Sequence, residues 1–184
     1  MSNDGPLPGR GDGLRVLLLN PPFLPRFSRA QRSPAVTKSG TLYYPLWLAY
    51  AAGVLEQAGC AVRLVDAPAA GLTLDAVRPI VRQWQPRLLV VDVSTPSCAN
   101  DLGVVAALKA DQPDLFTVAI GPHVSALPEE VMASAPALDA LARREAEYTL
   151  RELALALVQD APLSAIAGLS YRQDGRCIHN PDRP

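Results

Sequence analysis

The apolar positions of the chain fall into five short runs separated by helical patterns. The runs are LRVLLLN at 14–20, CAVRLVDA at 60–67, RLLVVDVS at 87–94, LFTVAIG at 115–121 and the weaker LDALAR at 138–143. The first, third and fourth are nearly unbroken Val, Leu and Ile, the character of strands buried on both faces in a parallel sheet covered by helices. Between the runs, apolar residues recur at helical spacing. Trp47, Ala51, Val54, Leu55 and Ala58 follow Pro45, which suits a first helical turn, and Gly59 closes that helix. Thr73 caps a second helix carrying Val77, Val81 and Trp84, in which Pro79 predicts a kink or a late start. Asn100 or Asp101 caps a third, with Leu102, Val105 and Leu108 inward, and a short fourth follows Pro128. The last turns Leu150, Leu153, Ala154, Leu157 and Val158 to one side, with Glu147 and Arg151 spaced for an i,i+4 pair.

This alternation predicts an α/β fold: a Rossmann-like (flavodoxin-like) doubly wound five-stranded parallel sheet with helices on both faces. In GLSYRQDGRCIHN, at 168–180, two β-like runs flank Gln173-Asp174-Gly175, which predicts a C-terminal β-hairpin outside the five-strand unit. The chain thus divides into a flexible tail at 1–13, one sheet domain at 14–160, and a hairpin with linker at 161–184. Open sheets of this class bind ligands beyond the carboxyl ends of their strands, so the loops there carry the functional expectation. One such loop is abnormally long. Residues 21–44 join the first strand to the first helix, where short connections are the norm. Such a segment is a lid, a cofactor loop or a docking segment, or it is disordered. Its cations, Arg26, Arg29, Arg32 and Lys38, face an anionic substrate or another domain.

Composition narrows the function classes. With 184 residues, 49% hydrophobic and 19% charged, the chain can bury a core, and its net charge of −1 with no basic run argues against nucleic acid as a partner. The N-terminus has no signal-peptide pattern, and no apolar stretch reaches the roughly 18 residues a membrane span requires. Cys60, Cys98 and Cys177 make no metal or cluster spacing and read as ordinary thiols in a reducing, cytoplasmic setting.

The loops exclude several chemistries. After the first strand stands Asn20-Pro21-Pro22-Phe23, not G-x-G-x-x-G, and proline has no N–H to offer a phosphate. A phosphate-binding G-x-x-x-x-G-K-[ST] is also absent. Asp92 ends the third strand, but no acidic pair follows the first strand, as a phospho-acceptor domain would require. Ser94, Thr95 and Ser97 can donate to a ligand or cap the next helix. Gly121 ends the fourth strand and permits close approach of backbone or ligand. His123 is a structural donor or a ligand contact, and Glu129 and Glu145 suit helix starts. No Ser/His/Asp set or metal cluster emerges, so the residues alone predict a binding domain with no catalytic residue and an unnamed ligand.

Taken together, NPP after the first strand, YPLWLAYAAGVLEQAG in the first helix, GPHVSALPEE after the fourth strand and REAEYTLREL after the fifth resemble one family. It is the N-terminal cobalamin-binding domain of cobalamin-dependent radical SAM enzymes, and IAGLSYRQDGRCIHNPDRP resembles that family's hairpin and linker before the catalytic barrel. The resemblance covers residues 14–184. It implies that cobalamin lies across the carboxyl edge of the sheet, with its dimethylbenzimidazole tail tucked beside it. The cofactor-binding residues it implies are Pro21, Pro22, Ser94, Thr95, Pro96, Ser97, Gly121, Pro122 and His123, with Pro128, Glu129 and Glu145 second. It further implies a base-off cofactor with no histidine ligand, because the D-x-H-x-x-G of other cobalamin domains has no counterpart between Asn20 and Phe27. The parent activity it implies is methyl transfer, or ring formation as in some relatives. A [4Fe–4S] cluster and S-adenosylmethionine would belong to a catalytic domain in cis, whose C-x-x-x-C-x-x-C is not among these residues. The chain departs from the family at Ile120, Arg144 and Ala146, where glycine is common; Arg144 would crowd the cofactor or reach over it. The alternatives are a cofactor-free domain of this fold used for docking or substrate capture, and an unrelated small-molecule binder.

Overall fold

The computed structural model of the chain describes residues 13–30 and 34–183, so the expected tail, Gly13 apart, and Arg32 lie outside the described residues. Strand β1 (Arg15–Asn20) is followed by a minimal antiparallel pair, β2 (Phe27–Ser28) with β3 (Ala35–Val36), and then by helix α1 (Leu46–Gln57). Next come β4 (Ala61–Asp66), the short α2 (Ala67–Ala70) and α3 (Leu74–Trp84). Strand β5 (Leu88–Asp92) leads through a 3-10 turn at Thr95–Ser97 into α4 (Cys98–Asp111). Strand β6 (Phe116–Ile120) precedes α5 (Pro122–Ala126) and α6 (Pro128–Ser134), and β7 (Ala140–Ala142) precedes α7 (Glu147–Gln159). A hairpin of β8 (Leu169–Gln173) and β9 (Arg176–His179) follows.

The strands run in the order β4-β1-β5-β6-β7-β8-β9, the first five mutually parallel. The parallel part is the doubly wound, flavodoxin-like sheet that the alternation predicts. The sheet has seven strands, however, not five. Strand β8 pairs antiparallel with β7, and β9 with β8. The three-residue β7 leaves an open edge, and burial of Leu169 and Tyr171 seals it.

Alternation along each strand divides the core in two. Val16, Leu18, Val90, Val118 and Ile120 face α1 and α7. Leu17, Leu19, Leu89, Val91 and Ala119 face α3, α4, α5 and α6. Among the described residues no helix is long and apolar enough to cross a membrane.

Several local expectations change. Helix α3 starts directly after its Thr73 cap and continues through Pro79, whose missing N–H would have met the Asp75 carbonyl. Asn100 and Asp101 do not cap α4; they lie inside its first turns and spend their side chains on other parts of the chain. Trp47 and Val158 are half-exposed rather than inward, because Leu48, Ala51 and Leu55 form the buried stripe of α1, and Leu150, Leu153 and Ala154 that of α7.

Candidate functional site

Two structures meet at the carboxyl edge of the sheet. One is a buried polar network. Arg29, from the long first loop, is 6% exposed and pairs with Asp101 of α4 at 2.5 Å. The same guanidinium donates to Asn20 Oδ1 at 2.9 Å and to the Pro21 carbonyl at 2.8 Å. Asn20 Nδ2 donates onward to Asp66 Oδ1 at 2.8 Å. Ser97 Oγ donates to Asp101 Oδ2 at 2.5 Å and shares a 2.7 Å hydrogen bond with Ser94 Oγ. Asn100 Nδ2 reaches the Pro22 carbonyl at 2.8 Å. The first loop is therefore tied to β1 and α4, and the described part of residues 21–44 is anchored at its root. Arg29 is buried and its guanidinium is taken up by Asp101, Asn20 and Pro21, which corrects the expectation that it faces an anion or another domain. Its partner Asp101 is present in the sequence, but 72 residues away. Burial pushes the Asp101 carboxyl up, against the pull of Arg29 and of hydrogen bonds from Ser97 and Asn100. Beside it, burial pushes Asp92 up to about 6; Arg29 opposes that and Asp101 adds to it.

The second structure is a cavity of about 340 Å³ on the α1–α7 face. Helix α1 supplies Trp47 and Ala51. The end of β6 and the turn into α5 supply Ile120, Gly121, Pro122 and Ser125, and the start of α7 supplies Arg144, Glu145, Ala146 and Glu147. Gly121 is required by its backbone. Its φ is +116°, and a Cβ would fall on the Val93 carbonyl oxygen and within 3.0 Å of Asp92 Oδ1. Ser125 joins the two loops that form the rim: its Oγ donates to the Gly121 carbonyl at 3.0 Å and accepts from the Arg144 N–H at 2.7 Å. Tyr43, Tyr44, Trp47 and Tyr50, just before and in the first turns of α1, and Tyr148 of α7 are all half exposed or more. Trp47 and Tyr50 meet edge to face, with centroids 6.3 Å apart.

The sequence-predicted residues distribute unequally over this edge. Gly121, Pro122 and Glu145 line the cavity. Thr95 and Pro96 are exposed beside it, and Thr95 Oγ1 shares a 3.3 Å hydrogen bond with His123 Nδ1. Ser94, Ser97, Pro21 and Pro22 are buried in or against the polar network. Pro128 and Glu129 open α6, which packs on the opposite face of the sheet from the cavity. Sequence reasoning missed Trp47, Ala51, Ser125 and Glu147 as lining residues. The run of aromatics at 43–50, on the ligand edge, was the available signal for Trp47.

The hairpin returns the chain to this edge. Arg143, 6% exposed, donates to Ser170 Oγ, to the Asn180 carbonyl at 2.5 Å and to Asp182 at 2.9 Å. Arg144 takes the other oxygen of Asp182 at 2.7 Å. Hydrogen bonds from Arg143 hold the Asp182 carboxyl below its usual range, with Arg144 adding to the effect and desolvation opposing it.

Comparison with known proteins agrees with this architecture. The model of the B12 binding domain family matches residues 32–154. An uncharacterized methyltransferase of Pyrococcus horikoshii is 31% identical over 171 residues, covering 93% of this chain and 35% of its own length. An anaerobic magnesium-protoporphyrin IX monomethyl ester cyclase of Rubrivivax gelatinosus is 30% identical over 145 residues, covering 76% of this chain and 26% of its own. The chain thus spans about a quarter to a third of the length of these two relatives. Among solved structures, the cobalamin-dependent S-adenosylmethionine radical enzyme OxsB, with aqua-cobalamin and S-adenosylmethionine bound, superposes with a TM-score of 0.75. It shares 20% identity over 94% of this chain and 23% of its own. The radical S-adenosylmethionine methyltransferase TsrM of Kitasatospora setae, with cobalamin and a [4Fe–4S] cluster bound, gives 0.71 at 18% identity, over 93% of this chain and 29% of its own. By the match over 32–154, and with a fold shared with these enzymes, the chain belongs to the B12-binding domain family.

Proposed function

We propose that this chain binds cobalamin at the carboxyl edge of its sheet, base-off and with no histidine of the chain beneath the cobalt. On this reading it is the cobalamin-carrying part of a radical SAM methyltransferase. The observation that carries the proposal is the cavity beside Gly121. Its volume lies within the roughly 300–1,000 Å³ of ligand pockets, and its lining joins apolar Trp47, Ala51, Ile120 and Ala146 to a few polar side chains, Ser125, Arg144, Glu145 and Glu147. An apolar slot with a few polar groups at a sheet's carboxyl edge suits a flat aromatic base below an amide-bearing ring. Cobalamin, when bound, supplies a cobalt centre that can carry a methyl group.

The chain's own residues bind and orient. Gly121 lets the cofactor approach the backbone, and Pro122 and Ser125 hold the turn around it. Thr95, Pro96 and His123 contact corrin amides, and Glu145 accepts from them. Pro21, Pro22, Ser94 and Ser97 act one layer down, keeping the first loop in place through Arg29 and Asp101. Pro128 and Glu129 start α6. The exposed aromatics at 43–50 and Tyr148 receive a catalytic domain in cis, which would hold the [4Fe–4S] cluster and S-adenosylmethionine. Support for methyl transfer is the likeness to the uncharacterized methyltransferase of Pyrococcus horikoshii.

The test is direct. Hydroxocobalamin is added to the purified chain, the mixture is desalted, and the visible spectrum is recorded. Retained corrin absorbance in near-stoichiometric amount is expected. A colourless protein contradicts the proposal and favours a domain of this fold that docks without a cofactor.

A further inference from the structure

Arg144 stands at the rim of the cavity in an unusual backbone conformation. Its backbone is left-handed, with φ of +60°, a conformation that bulky side chains rarely adopt and glycine adopts freely. The peptide is pinned there by the Ser125 hydroxyl, so the side chain leaves from the rim of the cavity. Among the described lining residues Arg144 is the single cation, beside the carboxylates Glu145 and Glu147. Its side chain is 65% exposed and has, among the described residues, one ionic partner, Asp182. That partner is already held at its other oxygen by two N–H groups of Arg143, at 3.1 and 2.9 Å. The Arg144–Asp182 contact is thus a half-exposed surface pair with little to lose on exchange.

The cofactor has one anionic group on its periphery that such a side chain would meet. The corrin amides are neutral, and the tail carries a phosphodiester between the corrin and the nucleotide. With the base in the apolar cavity and the corrin across the sheet edge, that phosphodiester lies at the rim between them. We propose that Arg144 leaves Asp182 and anchors the phosphodiester of the nucleotide tail, so that the chain selects complete cobalamin over corrinoids that lack the tail. Arginine suits this because its planar fork can give two parallel N–H bonds to one phosphate. The inference rests on the proposed cobalamin reading and assigns a specificity-determining residue within it.

The experiment compares hydroxocobalamin with aquocobinamide, which has the corrin but no nucleotide. Both are titrated into the wild-type chain and into Arg144→Gly, Arg144→Lys and Asp182→Asn. Circular dichroism of Arg144→Gly should match wild type, since glycine accepts the positive φ. Arg144→Gly should weaken hydroxocobalamin binding about tenfold, the order expected for one charge-assisted hydrogen-bond pair, and leave aquocobinamide within twofold. Arg144→Lys, which keeps the charge but not the fork, should retain only part of the preference for the complete cofactor, and Asp182→Asn, which frees the guanidinium, should not reduce it. Equal weakening for both corrinoids, or none for either, overturns the role of Arg144 while leaving cobalamin binding intact. A wild-type chain that binds neither corrinoid overturns both.

Discussion

Arg29→Met tests the physical logic of the carboxyl edge most severely. The Arg29 and Asp101 side chains are 1% and 0% exposed, and their 2.5 Å contact excludes water. Methionine preserves much of the aliphatic stem but leaves the Asp101 carboxylate buried with only Ser97 and Asn100 to hold it. Breaking a buried pair from one side costs about 3–5 kcal/mol, because the remaining charge is uncompensated. The cost must depend on pH. Burial already raises the Asp101 carboxyl, and without Arg29 nothing ionic opposes it. An acid whose folded pKa exceeds its unfolded value binds more protons when folded, so stability falls as pH rises through that interval. The deficit of Arg29→Met relative to wild type is therefore largest near pH 8 and shrinks toward pH 5. Urea melts at the two pH values measure it. Arg29→Met/Asp101→Asn, which removes the orphaned charge, should recover more than half of the loss at pH 8. A deficit below about 1 kcal/mol, the value of an exposed pair, with no pH dependence would refute the reasoning.

Other consequences follow from single residues. Asp92, raised from 3.8 to about 6, makes wild-type stability fall by about 2 kcal/mol between pH 4 and pH 7; Asp92→Asn should flatten that part of the pH profile in urea melts. Gly121→Ala puts a Cβ against the Val93 carbonyl at a positive φ, so its thermal midpoint should drop by an amount equivalent to about 1–3 kcal/mol. Arg143→Ala leaves the Asn180 carbonyl without its side-chain donor and Ser170 Oγ with only His179, and hydrogen exchange of residues 176–183 should accelerate. Trp47→Ala removes a half-exposed wall of the cavity; urea stability should change by less than about 1 kcal/mol while hydroxocobalamin retention falls.

Most of the sheet was legible because buried parallel strands announce themselves as continuous apolar runs, and all five predicted runs contain strands. The hairpin was legible from Asp174-Gly175, but its attachment to β7 was not, since no local pattern says which edge a strand will join. Helix α5 is invisible in the sequence: five residues beginning Pro122-His123 are too few to show helical periodicity. Trp47 was misdirected because it lies four residues from Ala51, on the flank of the true stripe of Leu48, Ala51 and Leu55. The polar network stayed hidden for a different reason. Arg29 is one cation in an irregular loop, and its partner lies on a helix far along the chain, joined only when β1 and β5 pair side by side. At the site, Gly121 and Pro122 were readable as a strand-ending turn, whereas the Ser125 bridge between two loops exists only in three dimensions.

The central claim joins a place, the cavity beside Gly121, to a ligation state. Electron paramagnetic resonance of the chain loaded with cob(II)alamin tests both together. With the base withdrawn into the cavity and no histidine of the chain beneath the cobalt, the spectrum should be that of base-off, bound cofactor, without nitrogen splitting of the cobalt lines. Nitrogen splitting, from either the cofactor's own base or a histidine, would contradict the account.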